Sequence, residues 1–258
     1  MSMELINSNE ATKAFFSAES KFFSARYGSR TYRQRRNLVN ELVQKYLAEL
    51  RLGHHAVEVL DFGCGTGVLC KDVAALGARV TAVDNSEAMI GAARQRLRNA
   101  QGHVDVEWIS NDCGVGAYQH RVYDIVLCIS VLEFVEELQA VLSRLCSCVA
   151  RGGILILSVP NRHSWLRRIE KLGYRHPAII RRFSRLGHLA QPECYLSIQK
   201  HQLTLNELSP VVLRNGMREE EHRFCVAPRV LGRLEGVEKV GMTLVAVFRK
   251  PALNPDAL

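Results

Sequence analysis

Val59-Leu60-Asp61-Phe62-Gly63-Cys64-Gly65-Thr66-Gly67 runs from an apolar β-type segment into three glycines at every second position, and Val68-Leu69 then opens a helix-like stretch. A strand that empties through a glycine turn into a helix N-terminus lets backbone approach a small ligand closely. The spacing narrows which ligand. With Gly63 and Gly65 fixed, the dinucleotide fingerprint G-x-G-x-x-G places its third glycine at position 68. This chain has Val68 there, and its third glycine is Gly67.

Outward from this turn, β-type and helical patterns alternate, which predicts a parallel sheet covered on both faces. Strand one is Val57–Phe62 and the next helix Val68–Leu76, closed by Gly77. Strand two, Arg79–Val83, ends in Asp84-Asn85-Ser86, with Ser86 a cap for a helix carrying Met89, Ala93 and Leu97. Strand three spans Val104–Ile109, the nearly all-apolar strand four Tyr123–Ile129, and strand five Ile154–Val159 after a helix over Val135–Val149. A helix near Thr204–Asn215 and two closing strands, Glu221–Val226 and Met242–Arg249, complete a seven-stranded sheet with an antiparallel edge hairpin. The expected fold is α/β, Rossmann-like and doubly wound. It divides into an N-terminal helical cap (1–54), a ligand-binding core (55–160), a basic helical insertion after strand five (161–203) and closing elements (204–258).

Several landmarks agree in order and spacing: Asp61-x-Gly63-x-Gly65-x-Gly67, then Asp84, Asp112, Tyr123-Asp124-Ile125-Val126 and Gly152-Gly153-Ile154-Leu155-Ile156. Together they resemble the class I S-adenosylmethionine (SAM)-dependent methyltransferases over most of residues 55–160. Among these the ubiquinone-type and Mg-protoporphyrin-type small-molecule enzymes are most similar. The resemblance implies SAM as methyl donor and S-adenosylhomocysteine (SAH) as product. It places Asp61, Gly63, Cys64, Gly65 and Gly67 in the cofactor turn and Ile129 at the end of strand four beside it. Asp84 would hold the ribose hydroxyls, and Asp112 with the Cys113 amide the adenine edge, while Asn85 and Met89 pack the adenine face. Asp84 as an acidic helix cap and Met89 as plain core are the competing readings. N-terminal helices cap the cofactor in similar proteins, so Tyr27 and Arg36 are placed at its amino-acid end, although Phe15-Phe16 and Phe22-Phe23 on one helical face also suit core packing.

One departure bears on mechanism. Some ubiquinone-type enzymes carry E-x-L-E-H after strand four, with the acidic residues and His holding a divalent metal; here the stretch is Ser130-Val131-Leu132-Glu133-Phe134. One carboxylate and a hydroxyl make a poor cage for a hard cation, so no metal is expected. A sulfonium methyl is already activated, and a base is required only for a poorly acidic acceptor. Glu133, His163 and His201 are the candidates, with Glu133 and His201 preferred.

Composition sets the rest. The opening ten residues have no apolar core for a signal peptide and no run is long enough to span a bilayer. Eight scattered cysteines lack metal spacing and suit buried thiols in a reducing cytosol. Of the formal charge of +8, the segment Arg162–Ala190 carries +7. Trp165, Leu166, Ile169 and Leu172 interleave with its cations, as in an interfacial helix. The segment reads as a solvated helix pair, as a lid over an anionic or amphiphilic acceptor with peripheral membrane contact, or as an RNA grip. No stacking platform accompanies the charge, which argues against nucleic acid. The sequence therefore predicts a cytoplasmic SAM-dependent O-methyltransferase of a small or amphiphilic molecule. An RNA methyltransferase and a non-catalytic SAM-fold partner subunit are the rivals.

Overall fold

Apolar side chains alternate along the central strands, so each strand feeds two cores. Leu60, Phe62, Val126, Cys128, Leu155 and Leu157 point to one face of the sheet, and Val57, Val59, Ile125, Leu127, Ile154 and Ile156 to the other. Such strands are stable only when both faces are covered. In the computed structural model, which describes residues 10–18, 20, 28–51, 56–98, 106–110, 117–175, 198–225 and 237–252, helices cover both.

The strands are β1 (Glu58–Phe62), β2 (Arg79–Asp84), β3 (Val106–Ser110), β4 (Tyr123–Ile129), β5 (Val149–Pro160), β6 (Arg218–Cys225) and β7 (Thr243–Arg249). Their order across the sheet is β3-β2-β1-β4-β5-β7-β6. The first five pair in parallel, and β7 lies antiparallel between β5 and β6. The expected mostly parallel sheet with an antiparallel edge is present. The order reverses between β1 and β4, and open α/β sheets bind ligands beyond the carboxyl ends of strands at such a point.

Helix α1 covers residues 10–18, followed by α2 (Arg30–Leu50), α3 (Val68–Ala75), α4 (Glu87–Arg98), α5 (Leu138–Cys148), α6 (Trp165–Arg175) and α7 (Leu205–Arg214). Helix α2 buries Val39, Leu42, Val43, Tyr46 and Leu47 at 3–4 spacing in the Val59 core. Helices α5 and α7 contribute Leu142, Leu145, Leu208 and Val212 to the Leu60 core. Thr204 caps α7 through a reciprocal box with Glu207.

Three element starts moved by three residues or more: β6 opens at Arg218, not Glu221, and two others moved for local reasons. Helix α5 starts at Leu138, not Val135, because the 131–137 turn is pulled away toward residues 200–201: both the Lys200 and the His201 amides donate to the Glu133 carbonyl. Strand β5 begins at Val149, directly after α5, and absorbs the extra residues as a register shift opposite Tyr123–Ile125. Of the basic insertion, residues 161–175 and 198–203 are described; the remainder lies outside the described residues.

Candidate functional site

The glycine turn closes on itself first. Gly63, Gly65 and Gly67 all adopt left-handed backbone, at φ 76°, 54° and 70°, where only glycine sits without strain. The Gly63 and Cys64 amides both donate to the Val83 carbonyl, at 2.8 and 3.0 Å, so the turn is tied to the end of β2. Two of the glycines also permit contact. A Cβ on Gly63 would lie 2.2 Å from Val131 Cγ2, and one on Gly67 would lie 2.8 Å from Ala93 Cβ. The first lets the turn meet the loop after β4; the second lets α3 pack on α4.

Asp84 is held at the end of β2 by two amides, Gly65 N to Oδ2 at 2.8 Å and Ser86 N to Oδ1 at 2.9 Å. Burial raises its carboxyl above the ordinary range, against the pull of the Ser86, Gly65 and Asn85 amides. Each oxygen keeps lone-pair capacity after accepting one amide, so the carboxylate fits a pair of vicinal hydroxyls. Ser86 does cap α4, accepting from the Met89 amide at 3.3 Å. Met89 is 1% exposed, fully within the core.

Asp61, behind the turn, is almost completely buried; burial lifts its carboxyl to about 6, the Cys70 thiol donating at 3.1 Å lowers it, and Asp84 raises it. Cys64 is a buried thiol raised to about 11 and Cys70 is raised well beyond its ordinary value, so both are poor nucleophiles. Arg36, expected near the cofactor, gives Nε and Nη2 to Asp72 in a two-pronged pair at 2.6 Å each, joined by Asn40 at 2.8 Å. It clamps α2 to α3. Tyr27, Asp112 and Cys113 lie outside the described residues.

Helix α1 reaches both sides of the switch point. Ser17 Oγ lies 2.9 Å from Ser86 Oγ, and the Phe16 and Phe134 rings meet edge to face at 5.1 Å.

The other side begins where β4 ends. Ile129 is half-buried there, and the next residue, Ser130, has φ 57°, the one non-glycine at positive φ among the described residues. Its amide is held by Ser158 Oγ at 2.9 Å. Strained backbone of this kind persists where surroundings fix it, and it clusters at functional sites. Three residues on, Glu133 is 5% exposed and its Oε2 has no hydrogen-bond partner. Burial pushes its carboxyl up to about 7, while its own amide, the Arg35 and Arg167 guanidiniums and the Ser130 hydroxyl pull it down. A buried carboxyl balanced near neutrality can exchange a proton.

The segment before α7 is fastened to this turn. Lys200 N and His201 N donate to the Glu133 carbonyl at 2.7 and 3.2 Å, and Lys200 pairs with Glu136. His201 Nε2 donates to the Val135 carbonyl at 2.9 Å, leaving Nδ1 as the basic nitrogen of the neutral ring. Glu133 and His201, far apart in sequence, thus meet at one junction. His163 lies elsewhere, with Nδ1 2.6 Å from Glu238 Oε1. Among the described residues no three His, Cys, Asp or Glu side chains converge as a metal site.

Sequence reasoning passed over Ser158 and Gln199, and weighed Ser130 only as a hydroxyl unsuited to a metal. A serine inside the apolar run Ile154–Val159 was a readable signal for Ser158; nothing local marks Gln199.

Comparison with known proteins agrees with this geometry. The family described as Methyltransferase domain matches residues 31–191. The ubiquinone biosynthesis O-methyltransferase of Shewanella sp. (strain ANA-3) is 33% identical over 128 residues, covering 49% of this chain and 53% of the relative. That of Salmonella arizonae is 34% identical over 139 residues, covering 53% and 57%. The chain spans about half the length of the curated relatives it matches. The crystal structure of magnesium protoporphyrin IX methyltransferase (ChlM) from Synechocystis PCC 6803 with bound SAH has the same fold, with a TM-score of 0.66 at 21% identity over 92% of this chain and 97% of that one.

Proposed function

The chain belongs to the class I SAM-dependent methyltransferases, and from that premise we propose that it methylates an oxygen of a small, amphiphilic, anionic acceptor, with Glu133 as the proton acceptor. Bound SAM supplies a methyl already activated on a sulfonium, so the protein's share is to bind, orient and take up a proton. On the cofactor side Asp84 would accept from the ribose hydroxyls, and the glycine turn would give the ligand close access to backbone.

The observation that carries the acceptor side is Glu133: a buried carboxyl near neutral pKa whose Oε2 has no partner, beyond the carboxyl end of β4. His201 has already committed Nε2 to a carbonyl, which suits a positioning role better than a catalytic one. Arg35 and Arg167 act electrostatically on Glu133, so an acceptor bearing a negative group is favoured over a cationic one. Similarity to ubiquinone biosynthesis O-methyltransferases supports transfer to oxygen.

For the amphiphilic part, α6 exposes Trp165 at 42% and Ile169 at 55%, one turn apart, beside exposed Arg168 and Lys171. That pattern suits contact with an anionic membrane surface. No described helix is long and apolar enough to cross a membrane.

Calorimetry with SAH tests the premise, and methyl transfer from labelled SAM to phenolic and carboxylated acceptors tests the remainder. Absence of SAH binding would favour the non-catalytic partner subunit. Activity is expected to survive EDTA; loss that magnesium restores would overturn the metal-free reading.

A further inference from the structure

We propose that Glu133 and Gln199 form a hydroxyl-reading pair that commits the site to oxygen acceptors over amines. The proposal rests on the methyltransferase reading and gives Gln199 a specificity-determining role within it.

Two unpaired buried atoms of opposite sense carry it. Glu133 Oε2 can only accept while the carboxyl is ionised, and Gln199 Nε2 can only donate; both are buried without a partner. Gln199 Oε1 accepts from Gln202 Nε2 at 3.0 Å, and with the pair in that sense Nε2 is the atom left open. The two residues share one junction, since the Lys200 and His201 amides bond the Glu133 carbonyl. They do not bond each other, although their chemistry is complementary. Buried polar groups are nearly always satisfied, and a donor and an acceptor left open together call for a third group.

A hydroxyl meets both demands. Its O–H donates to Glu133 Oε2, one oxygen lone pair accepts from Gln199 Nε2, and the second lone pair stays free to attack. In the transfer that lone pair forms the bond to the methyl carbon. The carbon–sulfur bond breaks with its electrons returning to the sulfonium sulfur, and the hydroxyl proton passes to the Glu133 carboxylate. A neutral amine has a single lone pair. If it accepts from Gln199 it cannot attack, and if it attacks, Gln199 stays unpaired in the interior. The pair thus discriminates by counting lone pairs.

Phenol and aniline present the same ring with hydroxyl exchanged for amine, and they are the probes. Each is offered with labelled SAM to wild type and Gln199→Met, with transfer read as kcat/KM and SAH affinity by calorimetry. The expected result is an SAH affinity unchanged within about twofold in both, and a phenol-over-aniline ratio of kcat/KM about tenfold higher in the wild type than in the variant, the worth of one hydrogen bond kept during attack. Gln199→Met is close in shape but has no donor, so it loses that preference. A preference that survives in Gln199→Met, or none in the wild type, overturns the pair while leaving the methyltransferase reading intact. Failure of the wild type to bind SAH overturns that reading instead. Should Gln199→Met fail to fold, Gln199→Glu replaces the donor by an acceptor at constant shape and must abolish the preference equally.

Discussion

The two sides of the switch point follow opposite rules. On the β1–β2 side every named group already has a protein partner before any ligand arrives: Val83 O takes two amides, Asp84 takes two more with lone pairs to spare, and Asp61 is covered by the Cys70 thiol. On the β4 side it is left open: Ser130 is strained, and Glu133 Oε2 and Gln199 Nε2 have no partners. A site that positions an already activated donor can be rigid backbone and fixed carboxylates. A site that must move a proton has to keep a group near the balance between its two states, and burial without a partner would do so for Glu133 in the role proposed for it.

The largest expected effect separates the sides most sharply. Glu133→Gln should lower kcat/KM by about 10²–10⁴-fold, the usual worth of a general base, with SAH affinity unchanged. With the carboxylate as the active form, wild-type kcat/KM should rise tenfold per pH unit below about 7 and flatten above it, and this limb should vanish in the variant. Stability should move the other way. The folded carboxyl titrates near 7 against an ordinary 4.5, so the native state holds the proton that the unfolded state releases. Wild-type stability therefore falls as pH rises from about 4.5 to 7, by up to about 3 kcal/mol. Glu133→Gln should escape that loss and melt higher at pH 8. A lower melting temperature there would make Glu133 structural, not catalytic.

Asp84→Asn tests the opposite side. Two charge-assisted bonds to ribose hydroxyls are worth about 3 kcal/mol, so SAH should bind about 100-fold more weakly. The limb near pH 7 should remain where it was. A shifted limb would mean that the two sides are one coupled system.

The two sides also differed in how readable they were in sequence. The cofactor turn is local: Gly63, Gly65 and Gly67 declare their backbone, and Asp84 follows at a strand end, so a few adjacent residues carry the pattern. Strands were readable for a similar reason, since a run such as Tyr123–Ile129 is apolar on both faces only when central. The acceptor side comes from distant pieces. Glu133 and Gln199 are brought together by backbone bonds between 133 and 200–201, and no periodicity encodes such a meeting. Ser130 was hidden for another reason, because serine gives no sign of left-handed backbone. Arg36 shows the converse limit: its placement in α2 was legible, but its pairing with Asp72 on α3 depends on how two helices cross.

Gly67→Ala asks whether the closed side depends on packing as well as on hydrogen bonds. Left-handed φ and a Cβ 2.8 Å from Ala93 Cβ should together cost about 2–3 kcal/mol. Melting should fall by about 5–10 °C, and SAH affinity only as far as the turn shifts. Pairing it with Ala93→Gly should recover part of the loss, which isolates the α3–α4 contact from backbone strain.

The smallest effect lies on the open side, at α6. If Arg168 and Lys171 face an anionic membrane surface beside Trp165 and Ile169, each cation contributes about 1 kcal/mol near the headgroups, so Arg168→Gln or Lys171→Gln should weaken binding to phosphatidylglycerol vesicles about fivefold. Vesicles of phosphatidylcholine alone should bind poorly, and neither variant should alter SAH affinity, because α6 follows β5 and lies outside the glycine turn. The helix could instead serve nucleic acid through the same cations. RNA binding that falls steeply with salt and is weakened by both substitutions, with no vesicle binding, would select that rival. The Trp165→Ala variant divides the two cases further: burying an indole in the interface is a gain that a vesicle offers and phosphate contacts do not. Loss of vesicle binding in Trp165→Ala at unchanged charge would therefore mark the open side as the one that faces the membrane.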